Sequence, residues 1–195
     1  MLQIYDFFSN QGQNQYRFMC ISCELNNSFR IFAQNLHEIM KKTYSFEYLQ
    51  IALSELSESD SVLAKEAIGA LKGSYSPYSH FAVGAALRLA DGTILTGANQ
   101  ENASYPCTTC AERTVLNYTR AEFPDKTICD IAIVARREAM TQPEEFVSPC
   151  GLCRQTLAEV ESTQQSPIRI LLVGAHDVCI FKSVSDLLPF AFAKD

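Results

Sequence analysis

Phe81-Ala82-Val83-Gly84-Ala85-Ala86-Leu87-Arg88-Leu89-Ala90 is a short, almost uninterrupted apolar run closed by Asp91-Gly92. A run of this length, bounded by a turn signal, predicts a buried β-strand, and Thr93 to about Gly97 returns as its hairpin partner. Upstream, Ser59-Asp60-Ser61 offers N-caps to a helix whose buried face is Val62, Leu63, Ala67, Ala70 and Leu71, with Gly73 as its stop. Downstream, a helix is expected from near Cys110 to about Arg120, before Pro124, and a strand over 129–136. A second helix runs from near Cys150 to about Val160, followed by strands over 168–174 and 179–184 and a tail containing Leu187-Leu188-Pro189. The order α-β-β-α-β-α-β-β predicts an α/β fold, a central sheet with helices on both faces.

The chain has 195 residues, 47% of them hydrophobic and 19% charged, enough for one domain with a substantial core. No apolar run approaches the roughly 18–20 residues that span a bilayer. Met1-Leu2-Gln3-Ile4-Tyr5-Asp6 lacks the basic start and apolar centre of a signal peptide, so a cytoplasmic location and no membrane partner are expected. The net charge is −6, which disfavours nucleic acid as a partner. Residues 1–44 are rich in Gln, Asn, Phe and Ser without a sustained period. They are expected to be an N-terminal extension, with Met40 as a candidate start, ahead of a domain over 45–195.

Eight cysteines in such a chain suggest metal or redox chemistry before disulfides. Cys110-Ala111-Glu112 precedes Ser148-Pro149-Cys150-Gly151-Leu152-Cys153, and together they offer three thiolates to one ion with a carboxylate to spare. A structural zinc site closes all four positions with protein, whereas a catalytic one keeps a place for water. Three sulfurs with Glu112 as the nearby base fit the second kind. Both cysteine clusters are expected to open helices, where free N–H groups and the helix dipole favour thiolate. Positions i and i+2 of a regular helix diverge, so Cys110 and Glu112 share one ion only if Cys110 sits at or before the cap. Arg113 and Arg154 each follow a cluster residue and are candidates to bond the thiolates. Cys129 and Cys179 read as core residues, Cys20 and Cys23 receive no role, and Cys107 is the rival fourth ligand of a closed, non-catalytic zinc module.

Five ordered motifs then resemble one family. Ser76-Pro77-Tyr78-Ser79-His80-Phe81-Ala82-Val83-Gly84-Ala85-Ala86-Leu87, Asn99-Gln100-Glu101-Asn102-Ala103-Ser104-Tyr105, Cys110-Ala111-Glu112-Arg113, Ser148 to Gln155, and Leu187-Leu188-Pro189 with Phe192 are similar to the small homotetrameric cytidine deaminases. The resemblance runs from about 58 to 192. It implies a three-layer α/β/α deaminase fold with a mixed central sheet, a Zn2+ cofactor on Cys110, Cys150 and Cys153, and Glu112 as proton shuttle. It implies Asn99 and Glu101 at the ribose hydroxyls, Phe81 beside the nucleoside, the Ala111 backbone reading the pyrimidine, and Arg113 bonded to the sulfurs. It also implies Phe192 reaching the base in a neighbouring subunit, with Tyr105 at a subunit interface. His80 reads as structural, and Gln100 stands where an aliphatic residue is more usual.

The expected activity is hydrolytic deamination of cytidine and deoxycytidine, with release of ammonia, in pyrimidine salvage. A deaminase of blasticidin-like small molecules is disfavoured by the Asn99–Glu101 pair, a polynucleotide-editing enzyme by the acidic charge, and a zinc interaction module by Glu112.

Overall fold

The computed structural model describes residues 43–192. The expected extension over 1–44, with Met40, Cys20 and Cys23, therefore lies outside the described residues except for its last two positions. The elements are β1 (Leu49–Ala52), α1 (Glu58–Ala70), β2 (Phe81–Leu89), β3 (Ile94–Ala98), α2 (Ala111–Glu122), β4 (Ile128–Arg137), α3 (Gly151–Gln164), β5 (Arg169–Val173) and β6 (Asp177–Phe181). The six strands form one sheet in the order β1-β6-β5-β4-β2-β3. Among the described strands only β4 and β5 pair in parallel, across α3, so the sheet is mixed.

Side chains alternate across the sheet, and each face finds its own helices. Ala85, Leu87, Ile131, Ile133, Ile170 and Leu172 pack with Val115 and Leu116 of α2 and Leu157 and Val160 of α3. The intervening Ala86, Ala132, Val134, Leu171 and Val173 pack with Leu63, Ala64 and Ala67 of α1. One helix on one face and two on the other make the three layers. Two glycines set the spacing: a Cβ on Gly84 would lie 2.3 Å from the Ala67 carbonyl oxygen, and one on Gly97 would lie 2.8 Å from the Val115 nitrogen. Gly97 therefore seats the first turns of α2 directly on β3.

The differences from the sequence reading lie at edges. The N-cap of α1 is Ser57, whose hydroxyl accepts from the Asp60 N–H at 3.1 Å, rather than any of residues 59–61. Val62 faces out at 43% exposure and Ala64 takes its place in the core. β6 begins two residues earlier than expected and ends at Phe181. β1 was not expected. It covers the outer edge of β6, and Tyr48 just ahead of it stacks on Phe181 at 5.4 Å.

On the α1 face, the alternation that gives Ala86, Ala132 and Leu171 continues into Arg88, Asp130 and Arg169, and Asp60 of α1 closes a quartet of charges. Arg88 bonds Asp130 and Asp60 at 2.7 and 3.0 Å, and Arg169 bonds both carboxylates from the other side. Burial pushes the Asp60 carboxyl up, but the Arg169 and Arg88 hydrogen bonds outweigh it, leaving its pKa below the usual value of 3.8. A carboxylate held lower in the folded state contributes stability that is present above its unfolded pKa and lost as pH falls through the folded one. The wild-type melting temperature is therefore expected to fall steeply once pH drops below about 4. Asp60→Asn is expected to cost about 3 kcal/mol at pH 7, the low end for a broken buried pair because Arg169 is partly exposed, and to flatten the acid limb. Parallel acid limbs in the two proteins would remove Asp60 from that account.

Candidate active site

β3 and β4 are both antiparallel to β2, so they run the same way and end on the same side of the sheet as the start of β2. Each is followed by a loop and a helix on the same face. The topology thus brings Phe81, the 99–109 loop and the N-termini of α2 and α3 to one end of the fold. Cys110 is the N-cap of α2, with extended dihedrals (φ −69°, ψ 155°), and Cys150 is the N-cap of α3 (φ −65°, ψ 167°). Their carbonyls accept the first helical bonds, from Thr114 and Arg154, both at 2.9 Å. Cys110 therefore occupies the position that lets its sulfur and the Glu112 carboxyl approach one point.

The sulfurs of Cys110, Cys150 and Cys153 lie within 4.8 Å of one another, and this is the cluster of metal-ligand type among the described residues. Two of the separations are 3.9 Å (Cys110–Cys150) and 3.4 Å (Cys150–Cys153). Tetrahedral zinc with Zn–S bonds of about 2.3 Å needs sulfurs about 3.8 Å apart, so the donors fit that ion. Cys107 is exposed and stands outside the cluster.

The electrostatics suit a cluster that binds a cation. Hydrogen bonding from Cys153 draws the Cys110 thiol down to about 5, against the opposing effect of burial and with help from Cys150 and Arg113. Cys153 is pushed up by its bond to that Cys110 thiolate and by burial. Three sulfurs this close cannot all ionise without a cation between them. Burial opposes the Arg113 charge, yet the sulfurs of Cys110 and Cys153 hold its pKa above normal. One Arg113 Nη donates to the Thr108 carbonyl at 3.0 Å, while its buried Nε has no hydrogen-bond partner among the described residues. Arg154 behaves differently. Its three nitrogens bond the Pro149 carbonyl, the Leu187 carbonyl and the Ser148 hydroxyl at 2.8–2.9 Å. It clamps the Cys150 loop to the C-terminal segment and does not bond sulfur.

Glu112 is 4% exposed. Burial, reinforced by the neighbouring Cys110 charge, holds its carboxyl above the usual carboxylate range. No salt bridge neutralises it among the described residues. A buried carboxyl with no ion-pair partner, beside three sulfurs but outside their cluster, is of the kind that can exchange a proton. Ala111 is fully buried; it is the first residue of α2, so its N–H is one of those the helix leaves free.

Asn99 is buried, and its side chain is largely committed within the chain: Oδ1 accepts from Val83 N–H (2.8 Å) and the Ser74 hydroxyl (2.6 Å), and Nδ2 donates to the Phe81 carbonyl (2.9 Å). Glu101 accepts from the Tyr78 and Ser79 N–H groups at 2.9 and 3.2 Å and from the Ser79 hydroxyl. That hydroxyl, together with the two N–H groups and His80, keeps its pKa below normal against a desolvation penalty. Both residues thus hold the 74–80 loop, and Gln100 adds a bond from Nε2 to the Gly73 carbonyl at 2.9 Å. The sequence reading gave Ser74 and Ser79 no task. His80 stands at φ 54° with Nδ1 2.7 Å from a Glu138 carboxylate oxygen, which is a structural role. Phe192 is 86% exposed in the single chain, with its backbone tied in both directions to the Gln155 side chain. Tyr105 is 74% exposed and meets Tyr78 edge-on.

The family model for the cytidine and deoxycytidylate deaminase zinc-binding region matches residues 57–166. The chain belongs to the cytidine and deoxycytidylate deaminase family. Among relatives within that deaminase family, the cytidine deaminase of Halalkalibacterium halodurans is 42% identical over 134 residues, covering 69% of this chain and 94% of the relative. The cytidine deaminase of Sporosarcina psychrophila is 38% identical over 133 residues, 68% of this chain and 90% of the relative. The crystal structure of the Burkholderia pseudomallei cytidine deaminase superposes with a TM-score of 0.58 at 35% identity, over 70% of this chain and all of that one. The deaminase match begins at Ser57, the N-cap of α1, so β1 and the aromatic residues before it precede the shared region.

Proposed function

We propose that this deaminase removes the 4-amino group of cytidine and deoxycytidine by hydrolysis, releasing ammonia and leaving uridine or deoxyuridine for pyrimidine salvage. The observation that carries the reading is Glu112, buried and unpaired beside a three-sulfur cluster that it does not join. Cys110, Cys150 and Cys153 would hold Zn2+, and Arg113 would temper the charge of their thiolates. Bound there, the ion would act as a Lewis acid and lower the pKa of a water toward about 7.

Glu112 takes the proton of the attacking water, delivers it to ring N3, and then assists protonation of the departing amine. A carboxyl that burial holds above its ordinary pKa suits a group that must both accept and return a proton. Asn99 and Glu101 orient the ribose hydroxyls with the acceptor and donor capacity left beyond their loop contacts. Phe81 lies against the base, and the Ala111 backbone reads its edge. The exposed Phe192 would complete a neighbouring subunit's site in a homotetramer, which explains a large apolar ring left in solvent by its own chain. Residues 45–195 form the catalytic domain and 1–44 an extension to it. A cytoplasmic setting keeps the thiols reduced; among the described residues, no helix is long and apolar enough to cross a membrane.

The test is zinc per chain together with the ultraviolet absorbance change on cytidine, deoxycytidine and a purine nucleoside. One zinc per chain with turnover of both pyrimidine nucleosides and none of the purine is expected. Zinc binding with no turnover of either pyrimidine would make the chain a non-catalytic module.

A further inference from the structure

We infer that Arg137 is a positioning residue for the substrate base, acting through the ring of Phe81. The inference rests on the reading of Phe81 as the base's neighbour. Phe81 opens β2 and Arg137 closes β4, and the two are directly opposed across the antiparallel pair. Ala85 opposes Ile133 and Leu87 opposes Ile131 on the α2 and α3 face, so the two-residue period puts Phe81 and Arg137 on that same face. The guanidinium carbon of Arg137 lies 5.6 Å from the Phe81 ring centroid, within cation–π range.

Arg137 is itself held. Its Nε forms an ion pair at 2.9 Å with Glu144 Oε1, an oxygen that accepts no hydrogen bond among the described residues, and the Glu144 N–H donates to the Ala135 carbonyl at 2.8 Å. The carboxylate is thereby tied back to the same strand, and it balances the arginine's charge. The backbone of Phe81 is fixed separately, its carbonyl accepting from Asn99 and its N–H donating to the Ser79 hydroxyl. What the backbone contacts leave free is the rotation of the ring, at a half-buried strand end open to solvent. A ring that must be ordered by the substrate weakens binding, while one already held does not. The chain Glu144–Arg137–Phe81 holds the ring in the free enzyme.

The experiment is steady-state kinetics on cytidine with the full-length chain as Arg137→Ala, Phe81→Leu and the double variant, with zinc content measured in each. Arg137 is 66% exposed, so its loss leaves the fold intact. Arg137→Ala is expected to raise KM about three- to five-fold with kcat and zinc unchanged. Arg137→Lys, which keeps the cation without the planar fork, should fall between. Phe81→Leu should raise KM further, and adding Arg137→Ala to it should change nothing more. If Phe81→Leu raises KM while Arg137→Ala leaves it unchanged, the positioning role is overturned and the reading of Phe81 stands. If the Arg137→Ala effect persists undiminished in the Phe81→Leu background, Arg137 does not act through the ring and the inference is equally overturned. If Phe81→Leu leaves KM unchanged, the reading of Phe81 falls and the inference with it.

Discussion

Glu112→Gln is expected to keep its zinc and lose turnover by at least about 10²–10⁴-fold, the range that general acid–base catalysis supplies. The amide matches the carboxylate in volume, so the packing around a residue only 4% exposed is preserved. Neither oxygen of Glu112 belongs to the sulfur cluster, so the metal loses no ligand. The stability should move the other way from the activity. Burial raises the Glu112 pKa, so its ionised form is disfavoured in the folded state and works against folding at pH values above the unfolded pKa. A neutral side chain removes that opposition, and the melting temperature of the zinc-free protein at pH 7 should be unchanged or higher. Near-normal turnover in the variant would show that some other group moves the proton.

What the sequence disclosed and what it withheld follow from the range of each interaction. The β2–β3 hairpin is local: an apolar run, Asp91-Gly92 and a short return identify it without any partner. The helices that start at Cys110 and Cys150 were legible for the same reason, and the capping geometry was forced by a two-residue offset between sulfur and carboxyl. The grouping of three sulfurs is a matter of residue type and spacing, which the chain writes out directly. β1 left no such trace, because four residues at a sheet edge, exposed on their outer half, show neither alternation nor a long apolar run. The charge quartet is invisible for another reason. Asp60, Arg88, Asp130 and Arg169 each lie near the end of an element, and nothing in the sequence joins them; only the closed sheet brings them into contact. Ser74, Ser79 and the Arg137–Glu144 pair likewise acquire meaning from what lies opposite them. Arg154, beside a cysteine in sequence, turns to carbonyls instead because the C-terminal segment passes within its reach.

Cys153→Ser is expected to abolish zinc retention and with it all measurable turnover. Cys153 is fully buried, and its sulfur is 3.4 Å from that of Cys150. Serine's hydroxyl does not ionise near neutral pH, so the substitution removes a thiolate and leaves two. The scale is set by comparison with Arg113→Ala, which removes only support for the sulfurs. Losing an outer partner of that kind typically costs about 10–100-fold in metal affinity, and losing a ligand must cost more. Cys107→Ser supplies the opposite control. An exposed thiol outside the cluster should be replaceable with zinc per chain and turnover both unchanged. The three variants therefore rank themselves by zinc remaining after dialysis: Cys107→Ser as wild type, Arg113→Ala reduced, Cys153→Ser empty. Zinc lost from Cys107→Ser would mean a fourth sulfur closes the ion, and a closed ion has no position at which water can be activated.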